Sequence, residues 1–147
     1  MKFSPAISDD LPRIAEWIGA DPSKRDTPAE WFLTGTECIF AACVEDQSGP
    51  VMYVKLIREG SLARLHTLFI APETAASKRR IVSVMLEGFP KLVAVLGEQG
   101  LTGIVFESIS ESLVAFMTKF GFKHADQNDY ELMFPVIEPP VASAEIS

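Results

Sequence analysis

The sequence predicts a mixed α/β fold whose elements follow the order β-α-α-β-β-β-α-β-α-β. The leucine-rich run Leu62–Ile70 ends in three consecutive apolar residues, which is typical of a strand. From Ser77 to Gly97 the apolar residues recur with the helical period instead. The apolar strand Leu101–Phe106 follows closely, so these segments predict a βαβ unit with a right-handed crossover.

The chain before this unit predicts one strand and two helices. Lys2–Ile7 can form an opening strand. Ser8–Asp10 offers an N-cap for the first helix, and Pro12 falls in its first turn, where the missing N–H costs little. This helix is expected to end near Gly19. A second, short helix is expected within Thr27–Gly35, where the glycine would stop it.

Three strands joined by tight turns predict an antiparallel meander in the middle of the chain. They are Cys38–Val44, Val51–Ile57 and the Leu62–Ile70 strand. The turn-forming runs Asp-Gln-Ser-Gly and Glu-Gly separate them. Because the meander and the βαβ unit share the Leu62–Ile70 strand, all of these strands are expected in one mixed sheet.

The end of the chain predicts a helix, a strand and a tail. The helix is capped by Ser108 or Ser110 and ends at Gly121, and Asp129–Phe134 is the last strand. We therefore expect a single domain over residues 1–134. The remaining residues, 135–147, contain adjacent prolines and small side chains, which are typical of a flexible tail.

The composition excludes several classes of partner. The sequence has 13 lysines and arginines against 20 aspartates and glutamates, a net charge of -7 at pH 7. Nucleic acids and anionic membrane surfaces are bound by clustered positive charge, so we expect neither as a partner. No apolar run approaches the roughly 20 residues of a membrane span, and the N-terminal residues lack the apolar stretch of a secretory signal. A soluble, cytoplasmic protein is expected.

The two cysteines, Cys38 and Cys43, predict neither a disulfide nor a metal site. On one regular strand they would point to opposite faces, because side chains alternate along a strand. We therefore interpret them as free thiols that pack like small apolar residues. Free thiols fit a reducing compartment, and no metal is expected.

Two motifs resemble those of a known family. Leu68–Glu73 (Leu-Phe-Ile-Ala-Pro-Glu) is similar to that family's fourth strand and its exit. Phe116–Phe122 (Phe-Met-Thr-Lys-Phe-Gly-Phe) is similar to its Tyr-x-Lys-x-Gly-Phe motif, with the lysine, glycine and last phenylalanine matching directly. With the element order over residues 2–134, the chain resembles the GCN5-related N-acetyltransferase (GNAT) superfamily. The resemblance implies direct transfer of an acetyl group from acetyl-CoA to an amine of a small molecule or peptide.

The resemblance also implies where the pantetheine arm of acetyl-CoA would lie. In the family the main chain of the fourth strand pairs with this arm, which here implies a role for Leu68, Phe69 and Ile70. Ser110 occupies the place of a helix-capping asparagine that touches the arm in the family. These four residues are therefore the expected contacts for the arm.

The diphosphate of the cofactor would be bound in an altered way. The family uses a glycine-bearing loop whose main-chain N–H groups approach the phosphates, and this loop aligns with Ser77–Val82. An arginine and a valine replace its two glycines. The resemblance implies that Lys78, Arg79 and Arg80 bind the diphosphate through their charges instead. The alternative, which has equal weight, is a helix that begins earlier and carries these cations as a solvated face.

The expected catalytic residue is His66. It occupies a position at which many members of the family carry a glutamate base, and a near-neutral imidazole can accept the amine proton. A purely structural role for this histidine is the alternative. Met117 stands where the family has a tyrosine general acid, and methionine cannot protonate a thiolate.

The missing glycines and tyrosine leave a second function open. The chain could keep the fold without catalysis, as a binding or assembly module. Some small phage-encoded proteins share such a degenerate layout, so a virion or host-interaction role follows by analogy alone. A homodimer is compatible with both functions. A co-purifying partner and no response to CoA would favour the module.

Overall fold

The computed structural model describes residues 1–24, 26–33, 35, 37–70 and 75–135. The strands are β1 (Lys2–Pro5), β2 (Cys38–Asp46), β3 (Gly49–Glu59), β4 (Leu62–Phe69), β5 (Gly103–Glu107), β6 (Lys123–Asp126) and β7 (Asp129–Met133). The α-helices of these residues are α1 (Leu11–Gly19), α2 (Ala75–Glu98) and α3 (Glu111–Thr118), and 3-10 turns cover Ser8–Asp10, Pro22–Lys24 and Ala29–Phe32. The tail predicted over 135–147 lies outside the described residues from 136 onward, and so does 71–74 within the first family-like motif.

All seven strands belong to one sheet, in the order β1-β2-β3-β4-β5-β7-β6. β4 and β5 pair in parallel, and the other neighbouring strands pair antiparallel. The predicted mixed α/β fold, with a meander joined to a βαβ unit, is therefore confirmed. The α2 helix makes the crossover from β4 to β5, because parallel neighbours cannot be joined by a tight turn.

Two elements differ from the sequence-based prediction. The expected second helix is a single 3-10 turn, in which the N–H of Trp31 donates to the carbonyl of Pro28 at 3.0 Å. The segment is too short for an α-helix to nucleate on its own. The strand β6 was not predicted, because all of its side chains are exposed and it has no apolar alternation. Hydrogen bonding to β7 across the Asp126–Asp129 turn makes it a strand.

Apolar layers cover both faces of the sheet. On one face, α2 and α3 pack over buried residues that include Leu65 of β4 and Phe106 of β5. On the other face, α1 and the Ala29–Phe32 turn cover a smaller cluster that includes Tyr53 and Leu68. None of the described helices is long and apolar enough to cross a membrane. Each strand in the middle of the sheet thus presents side chains to two different layers.

The prediction that Cys38 and Cys43 point to opposite faces is wrong. Cys38 stands opposite Ile57 and Cys43 opposite Tyr53, and these two residues of β3 share a face. A register shift between Cys38 and Phe40 adds one residue to β2, as a β-bulge does, and so reverses the alternation. Both thiols are free. Among the described residues, no three potential ligand side chains gather into a metal site.

Candidate functional site

β4 and β5 run side by side for three residue pairs and then separate. The ladder joins Leu62–Arg64 to Gly103–Val105, whereas β4 continues to Phe69 and β5 to Glu107. In the described part of the chain, the edge of β4 that faces β5 therefore has no neighbouring strand from Leu65 onward. The space between the diverging ends is the β4–β5 cleft. A strand edge of this kind can hydrogen-bond an extended ligand.

The register of β4 decides which main-chain groups point into the cleft. The N–H of Ile70 donates to the carbonyl of Val51 on β3 at 2.9 Å. In an antiparallel pair, alternate residues direct their N–H and C=O to the same neighbour, so Leu68 and Ile70 face β3. By the same alternation, the main-chain groups of Thr67 and Phe69 face the cleft. Of the three residues expected along the pantetheine arm, Phe69 thus has its polar main-chain groups on the cleft side.

His66 lies on β4 just beyond its last pair with β5, with its side chain on the α1 side of the sheet. Its ring makes a T-shaped contact with Trp31, with ring centroids 4.7 Å apart and planes at 86°. Burial, and after it the positive charge of Arg64, lowers the pKa of His66 to about 4. The imidazole is therefore neutral at pH 7 and has a lone pair that can accept a proton. The lowered pKa also makes it a weaker base than an ordinary histidine.

A buried lysine lies next to this histidine. Lys55 of β3 stands directly opposite His66 and is only 1% exposed. Its Nζ donates to the carbonyl oxygen of Trp31 and lies 3.9 Å from the centroid of the Trp31 ring. Burial lowers the pKa of Lys55. The 3-10 turn is therefore attached to the sheet through a cation as well as through apolar packing.

An arginine connects the two sides of the cleft at its base. Arg64 of β4 donates two hydrogen bonds to Asp129 of β7, at 3.0 and 3.1 Å, and a third to Glu59 at 2.6 Å. The guanidinium lowers the pKa of Asp129 by this hydrogen bonding. Because β5 lies between β4 and β7, the ion pair spans the sheet where the parallel strands begin to diverge. It fixes the closed end of the cleft.

The three basic residues near the start of α2 do not form one cluster. The helix includes Ala75, so Lys78, Arg79 and Arg80 are successive helical residues that point about 100° apart. Lys78 lies about three turns before Phe89 and therefore on the same side of the helix. On that side the ring of Phe89 packs against the ring of Phe120, with centroids 4.5 Å apart. This flank is the one nearer α3. The side chains of Lys78 and Arg79 are both exposed.

Arg80 is turned to the other flank of α2, toward the β2–β3 turn. Its Nε and Nη2 donate to the two carboxylate oxygens of Asp46 at 2.8 and 2.9 Å, and Nη2 also reaches the carbonyl of Gly49 at 3.2 Å. The pair raises the pKa of Arg80 and lowers that of Asp46. Arg80 thus attaches α2 to the β2–β3 turn, which lies on the side of β4 away from the cleft. A role for Arg80 at the diphosphate stays a prediction, because Arg80 would have to leave its ion pair with Asp46 to bind a phosphate.

Ser110, one of the two caps that the sequence allows, caps α3. Its hydroxyl accepts a hydrogen bond from the N–H of Leu113 at 3.3 Å, and the residue itself is exposed. Met117, at the position of the family's tyrosine, is 2% exposed and belongs to the apolar core under α3. The methionine is therefore a packing residue.

Sequence reasoning missed Lys55 and Thr67. A signal for Lys55 existed, since it is the single charged residue within the apolar run Val51–Ile57. Charged side chains are almost never fully buried without a partner, so a lysine there predicts one. No signal of the same kind marked Thr67, because the direction of its main-chain groups depends on the register between β3 and β4.

The arrangement resembles solved acetyltransferase structures. The ribosomal-protein-S18-alanine N-acetyltransferase of Escherichia coli superposes with a TM-score of 0.69 at 13% identity, covering 95% of this chain and 97% of that one. A GNAT-family acetyltransferase of Staphylococcus aureus gives 0.66 at 14%, covering 90% and 98%. The aminoglycoside 6'-N-acetyltransferase of Enterococcus faecium gives 0.62 at 15%, covering 94% and 100%.

Comparison of the sequence alone identifies no related family or protein. No protein-family model matches the chain, and the search of curated proteins finds no match. At identities of this size the structural similarity establishes the fold, while activity, cofactor and acceptor have to be argued from this chain's own residues. The similarity extends over nearly the full length of the related chains.

Proposed function

We propose that this chain, which has the fold of the GCN5-related N-acetyltransferases, transfers an acetyl group from acetyl-CoA to an amine. The observation that carries the proposal is the β4–β5 cleft, in which the edge of β4 that pairs with no described strand lies next to a neutral histidine. A strand edge can bind an amide-containing arm through main-chain hydrogen bonds. The neutral imidazole of His66 supplies the proton acceptor that amine transfer needs.

The cofactor would be held from three sides of the cleft. The main chain of Thr67 and Phe69 pairs with the two amide groups of the pantetheine arm. The exposed hydroxyl of Ser110 contacts the arm from the start of α3. Lys78 lies on the α3 flank of α2 and attracts the diphosphate, and Arg79, one residue on, adds a weaker and more solvated charge.

The chemistry is a direct attack of the amine on the thioester carbon. A C–N bond would form, the C–S bond would break, and CoA would leave as a thiolate that takes up one proton from water, while the attacking nitrogen would give one proton to His66. With a pKa of about 4, His66 is too weak a base to deprotonate a free ammonium group efficiently. It acts instead on the cationic nitrogen of the addition intermediate, which is far more acidic.

The acceptor is an amine of a small molecule or a peptide. The names of the structural neighbours cover both kinds, since one acts on a ribosomal protein and another on an aminoglycoside. In this chain the acceptor would enter on the α1 side of the sheet, where His66 and Trp31 lie.

The proposed location of the protein is the cytoplasm. Two free thiols and the use of CoA both suit a reducing cytoplasm.

We expect the Lys78→Ala variant to bind acetyl-CoA about tenfold more weakly than the wild type, because it loses a charged contact to the diphosphate. Isothermal titration calorimetry measures this directly. Lys91→Ala is the matched control, an exposed lysine about 20 Å further along the same helix, and its effect should stay within about twofold. Equal effects of both substitutions would remove Lys78 from the site. No heat at millimolar acetyl-CoA would contradict the proposed function itself.

One observation favours a binding or assembly module as the second candidate. Met117 fills the position of the general acid with a buried apolar side chain. A module would form a stable complex with a partner protein and show no response to acetyl-CoA. Pull-down in the presence and absence of acetyl-CoA, combined with the calorimetry above, separates the two candidates.

A further inference from the structure

The burial of Lys55 is energetically costly and requires a compensating interaction. An ammonium group loses most of its favourable hydration in a protein interior, and a methionine of similar shape would fill the same space without this loss. Lys55 is nevertheless 1% exposed in the middle of β3. Two contacts of its Nζ, with the carbonyl oxygen and with the ring face of Trp31, favour a cation.

Gly35, which follows the 3-10 turn, lies next to this ammonium. Gly35 has a φ of +135°, which other residues rarely adopt, and a Cβ at this position would lie 3.4 Å from the Nζ of Lys55. The Trp31 ring also contacts the His66 ring in a T-shaped arrangement, with centroids 4.7 Å apart. Trp31 is therefore in contact with both polar side chains, which stand opposite each other on β3 and β4.

The charges around His66 come from three elements. Arg64 lies on the same strand, Lys55 and Glu59 lie on β3, and Lys24 lies on the Pro22–Lys24 turn. The three cations oppose a proton on the imidazole, and Glu59 favours one. Arg64 and Lys24 are both paired with carboxylates, at 3.0 Å and 3.7 Å, which moderates their fields. Arg64 acts most strongly of the three cations on the pKa of His66 and Lys55 least, but Lys55 is only 1% exposed, so water screens its charge least.

We propose that Lys55 is a positioning residue for the acetyl transfer proposed above: its ammonium holds Trp31 against His66 and opposes a second positive charge there, so that the imidazole stays neutral and fixed in orientation. This inference rests on the proposed function for its purpose. Its physical content, the effect of Lys55 on Trp31 and on His66, can be measured in the free protein without any substrate.

The test compares three variants by NMR. Lys55→Met removes the charge and the hydrogen bond, so the nuclear Overhauser contact between Trp31 and His66 should weaken strongly and the pKa of His66 should rise by about half a unit or more. Lys55→Gln keeps a donor for the Trp31 carbonyl but no charge, so the contact should remain while the pKa still rises. Lys24→Met, the matched control, should raise the pKa and leave the Trp31 contact unchanged. His124, the second histidine of the chain, serves as the internal reference.

Several outcomes would overturn the inference. An unchanged pKa of His66 in Lys55→Gln shows that the lysine charge does not act on the imidazole. An unchanged Trp31–His66 contact in Lys55→Met shows that the lysine does not position the turn. If Lys55→Met does not fold, Lys55→Gln alone tests the effect of the lysine charge. In that variant the acid limb of the pH profile of kcat/KM should move to higher pH together with the pKa of His66. A protein that proves unable to bind acetyl-CoA refutes the proposed function but leaves these NMR results valid.

Discussion

The His66→Phe variant should lose at least about 100-fold in kcat for acetyl transfer while it binds acetyl-CoA with unchanged affinity, which is the usual effect of removing a general base. Phenylalanine keeps an aromatic ring against Trp31, so the packing of the 3-10 turn is retained. Single-turnover kinetics together with calorimetry separates the chemical step from binding. The control is His124→Phe, on the exposed β6 strand, which should leave kcat unchanged.

The same histidine predicts the acid limb of the pH–rate profile. Because burial lowers the pKa of His66 to about 4, the imidazole is neutral above about pH 5 and loses its free lone pair only as the pH falls through 4. The limb of kcat/KM that belongs to this residue should therefore lie near pH 4 in the wild type and be absent from His66→Phe. An acid limb of kcat/KM near pH 6.5 in the wild type would instead indicate that His66 is an ordinary, solvated imidazole. Full activity of the His66→Phe variant would exclude His66 as the base.

The Gly103→Ala variant should lose about 2–3 kcal/mol of its free energy of unfolding, because the added methyl group has no space in the sheet. A Cβ on Gly103 would lie 2.6 Å from the carbonyl oxygen of Leu132 and 3.0 Å from Leu62. The first contact is with main chain, which cannot move aside as a flexible side chain can. Gly103 lies in the short ladder at the base of the cleft, so the strain acts where β4 and β5 are joined. Urea denaturation measures the loss.

The matched control for this prediction is the same substitution at another glycine. Gly97 lies in α2, and a Cβ there would meet no atom within 4 Å. Gly97→Ala should therefore stabilise the protein by about 0.5–1 kcal/mol, since glycine is the poorer helix former. Equal changes in the two variants would show that β5 and β7 approach less closely at Gly103 than the structure indicates.

Much of the fold could be predicted from the sequence, because most elements carry their own apolar period. The leucines of Leu62–Ile70 and the apolar stripe of Ser77–Gly97 indicated β4 and α2 directly, and the crossover rule then joined them. The β6 strand has no such period and depends on pairing with β7. The bulge after Cys38 is likewise a property of the β2–β3 pair, so single-strand alternation gave the wrong face for one thiol.

The site could be predicted only in part, for reasons of geometry. Lys78, Arg79 and Arg80 are neighbours in sequence, but a helix turns them about 100° apart, and Arg80 pairs with Asp46 on the far side of β4. Neighbouring residues in a helix do not share a face, whereas residues three or four apart do. The Asp46 pair joins segments far apart along the chain, so local patterns could not reveal it.

The environment of His66 shows the same limit. Its position on β4 could be predicted, but its pKa depends on burial beneath the Trp31 turn and on Lys55, which faces it from β3. These contacts arise only when the 3-10 turn packs on the sheet. A histidine identified from sequence is therefore a candidate base, and the fold decides how strong a base it is.

The crystal structure of the protein with CoA tests the central claim most directly. We expect the pantetheine arm in the β4–β5 cleft, with its amides hydrogen-bonded to the main chain of Thr67 and Phe69. The diphosphate of CoA should lie next to Lys78, and its sulfur should point toward His66. Density for CoA elsewhere on the surface, or a cleft that stays closed by side chains at saturating CoA, would contradict the claim that the divergence of β4 and β5 is a cofactor site.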